Sequence, residues 1–60
     1  MEEIIIVCYG KEEKWHDRRQ AMEHFMEGMM CCEGTERERY TRIYTQLASG
    51  ENYCTDKEDV

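Results

Sequence analysis

The run Ile4-Ile5-Ile6-Val7 places a β-branched side chain at four successive positions, and Cys8-Tyr9 extends the apolar stretch as far as Gly10. Branching at Cβ restricts rotamers in a helix and suits a pleated surface, so the run predicts a strand. Side chains alternate along a strand, which sends Ile4, Ile6 and Cys8 one way and Ile5, Val7 and Tyr9 the other. Both sets are apolar, and such a strand calls for cover on both faces. The rest of the chain must supply that cover, and the whole is only 60 residues long. A chain of this size makes one domain at most and hides only about 60% of the surface its unfolded form exposes.

Local signals divide the remainder. Gly10-Lys11 reads as a turn. Beyond it, Glu12 to Trp15 either returns as a polar edge strand anchored by Trp15 or, since Lys-Glu-Glu-Lys favours helix, opens the first helix. Asp17 and Gln20 have the spacing of a capping box and favour the later helix start. That helix is expected to run from Asp17 to about Cys32, with Glu33-Gly34 closing it and glycine at C′. Thr35 and Glu38 have capping-box spacing for a second helix, which Gly50 ends after Ser49. Asn52-Tyr53-Cys54-Thr55 is short and β-prone and could return to pair with the first strand. The expected architecture is an α+β fold of order ββααβ, a small hairpin or sheet packed on two consecutive α-helices. It occupies residues 1–55, and Asp56-Lys57-Glu58-Asp59-Val60 is expected to be a solvated acidic tail.

Placing residues at 100° intervals shows what each helix can bury. On the second helix, Ile43, Leu47, Tyr40 and Tyr44 share one arc with Ala48 at its margin. On the first, Ala21, Cys32, Phe25, Met29 and Met22 define a core face, while Met26 and Met30 widen the apolar arc beyond what one packed face uses. Gly28 sits on the margin of that arc, where a missing side chain lets another backbone come close, and it reads as a packing notch. Two helices cover one face of a sheet, so the strand face carrying Ile5, Val7 and Tyr9 is left over. Together with Met26 and Met30 it is the candidate surface for self-association or for another protein, with a homodimer as the expected assembly. The alternative is a monomer in which sheet twist, Trp15 and Tyr53 fold over the second face.

Fourteen acidic residues against eight Lys and Arg give a net charge of −6, which argues against a general nucleic-acid binder because phosphate neutralisation needs a positive surface. A local patch remains open. Arg18 and Arg19 begin the first helix, where the macrodipole disfavours them. Arg39, Arg42 and Gln46 line one solvent-facing arc of the second helix and could grip carboxylates or phosphates. Ordinary surface pairing, Glu38 with Arg42 and Glu36 with Arg39, is the plainer account of that arc. The five residues are the candidate anion or partner contacts, and a nucleic-acid-associated modulator is the alternative function.

Catalysis has little to stand on. Cys31 and His24 share a helical stripe about 10 Å apart along the axis, too far for direct proton transfer. No phosphate loop or nucleophile elbow occurs. Cys8, Cys31, Cys32, Cys54, His16 and His24 contain no Cys-x2-Cys pair, so no metal and no cofactor is expected, although strand pairing could bring Cys8 near Cys54. The chain opens on glutamates rather than positive charge, so no secretory leader is expected and the cysteines are expected to stay reduced, in a cytoplasmic protein. The longest apolar run is far below the roughly 20 residues of a membrane span.

Four stretches, Cys8-Tyr9-Gly10-Lys11-Glu12, Arg19-Gln20-Ala21, Glu36-Arg37-Glu38-Arg39-Tyr40 and Tyr53-Cys54-Thr55-Asp56, together resemble short uncharacterised proteins carried on mobile genetic elements of anaerobic gut bacteria. The resemblance implies a cytoplasmic bacterial accessory protein that modulates a host defence or transfer system, and it brings no assigned activity and no site residues. The residues themselves point to a small non-enzymatic interaction or regulatory module.

Overall fold

In the computed structural model, which describes residues 3–57, the β-branched run forms β1 (Ile4–Cys8) at the centre of a three-stranded sheet of order β2-β1-β3. The segment whose sequence suits strand or helix is strand β2 (Lys11–Trp15), antiparallel to β1 with Ile4 opposite Trp15 and Cys8 opposite Lys11. Helices α1 (Arg18–Cys31) and α2 (Thr35–Ala48) follow, and β3 (Tyr53–Thr55) returns parallel to β1 with Cys54 opposite Ile6. The order is ββααβ and the class α+β, with both helices on one face of the sheet. No helix among the described residues is long and apolar enough to cross a membrane.

Alternation along β1 decides what is buried. Ile4 and Ile6 face the helices and join Ala21, Phe25, Ile43, Leu47 and Cys54 in one core. Trp15 lies across from Ile4 on that same face, its ring centroid 5.3 Å from that of His24 and 6.3 Å from that of Phe25. It therefore does not fold over the opposite face. Gly28 is the expected notch, although a side chain rather than a backbone fills it. A Cβ there would stand 3.1–3.2 Å from the Tyr40 ring, which lies 5.7 Å from the Phe25 ring.

Three local expectations need correction. The strand ends at Cys8, and the two-residue turn is Tyr9-Gly10 rather than Gly10-Lys11. Both turn residues have positive φ, 55° and 78°, as a type I′ hairpin turn requires to match the twist of its strands. Asp17 caps α1 as expected, accepting from the Arg19 and Gln20 amides, but Cys32 is its C-cap and Gly34 lies one residue beyond C′. Gly34 instead stands at the N-cap of α2, and Thr35 is already helical and makes no side-chain cap. The third concerns the tail. Asp56 is only 3% exposed and belongs to the packed unit, whereas Lys57 is exposed. Residues 58–60 lie outside the described residues.

Candidate interaction surface

The uncovered face of the sheet is a small grid. The pairings put Lys14, Ile5 and Tyr53 in one row and Glu12, Val7 and Thr55 in the next, reading from β2 across β1 to β3. No described element packs over either row. Tyr53 is 59% exposed, Ile5, Val7 and Thr55 are half-buried, and Glu12 and Lys14 are exposed. The Lys14 ammonium lies 3.6 Å from the Glu3 carboxylate. An apolar centre thus carries opposite charges along one edge.

The other candidates for a partner surface are elsewhere. Tyr9, expected to continue the row of Ile5 and Val7, leaves the sheet at the turn, and the Arg39 guanidinium of α2 sits 4.8 Å from its ring centroid. Met26 and Met30, 43% and 80% exposed, are on the outer side of α1. With α1 on the covered face, the two methionines are across the molecule from Ile5 and Val7, not beside them. There they line a shallow groove with Met29 and Cys32.

Most of the candidate anion contacts are engaged within the chain. Arg18 reaches from the start of α1 to the end of α2, donating to the Leu47 carbonyl at 2.7 Å, the Glu51 carbonyl at 3.0 Å and Asn52 Oδ1 at 2.8 Å. Its charge is unfavourable for its own helix dipole and favourable for the carbonyl end of α2. At that end the Gly50 and Glu51 amides donate to the Leu47 and Gln46 carbonyls, a Schellman closure. Gln46 faces β3, accepting from the Thr55 amide at 3.2 Å and donating to the Thr55 carbonyl at 2.9 Å. It occupies the outer edge of β3 as a neighbouring strand would. Arg42 donates to the Asp56 carbonyl at 3.5 Å. Arg39, Arg42 and Gln46 are half-buried against β3 and the residues after it, not on a solvent-facing arc. Arg19 is 3.8 Å from Glu23 one helical turn on, and both side chains are largely exposed.

Asp56 organises this corner, and the sequence reading missed it. Its Oδ2 accepts from the Tyr9 amide at 2.9 Å and from Arg39 Nη1 at 2.8 Å, tying the hairpin turn to α2 and to the end of β3. Burial by itself would raise the Asp56 pKa, but the hydrogen bonds from the Tyr9 amide and Arg39 outweigh it and hold the carboxyl below its ordinary range. Strand parity was the available signal. Cys54 faces the core, so Asp56, two residues on, falls on the same side, towards the arginine margin of α2.

The cysteines are free. Burial raises the Cys54 thiol against the lowering influence of Arg18, and burial followed by the Asp56 charge raises Cys8. Cys32 is raised by burial and by its hydrogen bond with Glu36. Thiols held protonated are poor nucleophiles and poor metal ligands. Cys54 lies opposite Ile6 rather than Cys8. Among the described residues no group of three His, Cys, Asp or Glu side chains could hold a metal ion.

No protein-family model matches this sequence, and no curated protein and no solved structure matches it either.

Proposed function

We propose that this chain is a small non-enzymatic interaction module that works through protein contacts, in the first place with a second copy of itself, using the open face of its sheet. The observation that carries the reading is that β1 is apolar on both sides while both helices lie on one. Ile5, Val7 and Tyr53 gain from leaving water, and the same face of another copy offers a matching apolar patch. Strands about 4.8 Å apart, two of five residues and one of three at about 3.3 Å per residue, give a footprint of roughly 200 Å². A stable interface occupies about 800 Å² per partner, so the association is reversible and depends on concentration, as suits a regulatory contact. The arginine set is a weaker basis for phosphate binding, because Arg18, Arg39 and Arg42 already serve contacts inside the chain. On the resemblance to mobile-element proteins, the action is assigned to the bacterial cytoplasm, as an accessory factor.

Size-exclusion chromatography with light scattering tests the reading. The average mass is expected to climb towards twice that of one chain between about 10 and 500 μM, and Val7→Lys to abolish the climb while the far-ultraviolet circular dichroism is unchanged. A wild-type mass that stays at one chain throughout that range removes the reading.

A further inference from the structure

The two rows of the open face, Lys14–Ile5–Tyr53 and Glu12–Val7–Thr55, are nearly alike at the centre and opposite in charge at the β2 end. A second copy can be laid on this face about either of two in-plane two-fold axes. With the axis along the strands, β2 lies over β3 of the other copy. Lys14 then meets Tyr53, Glu12 meets Thr55, and neither charge finds its opposite. With the axis across the strands, β1 lies over β1 and β2 over β2, and the rows exchange. Ile5 then faces Val7, Tyr53 faces Thr55, and each Lys14 faces the other copy's Glu12, twice by symmetry.

We infer that the chain pairs with a second copy in the second arrangement, two sheets face to face about a two-fold axis crossing the strands, with Lys14 and Glu12 exchanged between copies. The inference rests on the self-association proposed above and adds its geometry and its source of specificity. The charged pairs sit on β2, the edge strand on which Glu12 and Lys14 are exposed. They stay at the rim, where opposite charges set orientation and like charges disfavour the encounter. Lys14, already near Glu3 of its own chain, would stand between two carboxylates in the pair. The aligned packing of twisted sheets, about 30° from parallel, leaves the nearest neighbours in this grid the same.

The test is a charge exchange read by sedimentation equilibrium. Glu12→Lys alone sets Lys against Lys and Lys14→Glu alone sets Glu against Glu, so each variant is expected to dimerise at least about ten-fold more weakly than wild type. An equimolar mixture of the two variants restores both opposite-charge contacts and is expected to return to within about three-fold of wild type as a heterodimer. Single variants that dimerise like wild type, or a mixture as weak as its components, overturn this geometry and leave self-association standing. A wild-type chain that is monomeric throughout overturns both.

Discussion

Replacing Asp56 removes the one carboxylate that joins the hairpin turn, α2 and the end of β3. Hydrogen bonds to a charged group contribute about 1.5–3 kcal/mol each, and Oδ2 accepts from Tyr9 and Arg39. Arg39 is partly exposed and regains water when its partner goes, so Asp56→Ala is expected to cost about 2–3 kcal/mol rather than the full sum. A chain of this size has about 3–9 kcal/mol in all, and each kcal/mol moves its melting temperature by about 4–8 °C. Thermal unfolding followed by circular dichroism should therefore show a fall of about 10–20 °C, and Asp56→Asn, which keeps an acceptor for the Tyr9 amide, about half of that. Acid gives an independent reading. The folded carboxyl has the lower pKa, so its stabilisation is fully present above the unfolded value of about 4 and is lost as pH falls through the folded one. The stability gap between wild type and Asp56→Asn should be constant from about pH 5 to 7 and close below about pH 4. A melting temperature within about 2 °C of wild type for Asp56→Ala, or a gap that does not narrow in acid, would refute this account of the corner.

Three further perturbations follow from the packing. Gly28→Ala gains up to about 1 kcal/mol of helix propensity but drives a Cβ against a Tyr40 ring held by Phe25. A net lowering of the melting temperature is expected, and a rise would show that the ring yields. Gln46→Leu strips the outer edge of β3, so amide exchange at Thr55 should quicken at least about ten-fold while core amides of β1 keep their protection; unchanged exchange at Thr55 contradicts the edge role. Arg18→Gln should destabilise by about 1–2 kcal/mol in chemical unfolding, because the carbonyl end of α2 loses a charged donor; a loss below about 0.5 kcal/mol would mean that water serves as well.

How much of this was legible in the sequence depended on the reach of each signal. The element order and the core faces of both helices came from periodicity and flanking Gly and Asp residues, which are local. Thr35-x-x-Glu38 was misleading because the reversal between helices takes only Cys32, Glu33 and Gly34, and Gly34 occupies the cap position itself. Arg39, Arg42 and Gln46 looked solvated on a helical wheel because β3 and Asp56, which they serve, come 9 to 17 residues later. The charged neighbours of Asp56 read as a solvated tail, and only strand parity beyond Cys54 points inward. Met26 and Met30 widen the apolar arc of α1 beyond one packed face and both are exposed, but adjacency to Ile5 and Val7 is a property of layers and is not legible along the chain.

The most direct test of the central claim is a dilution series of amide spectra with residue-specific assignments. If the open sheet face is the contact between copies, amides of Ile5, Val7, Glu12, Lys14, Tyr53 and Thr55 shift together with concentration while those of Met26 and Met30 stay fixed. Shifts confined to the methionine side of α1, or none up to about 500 μM, would contradict it.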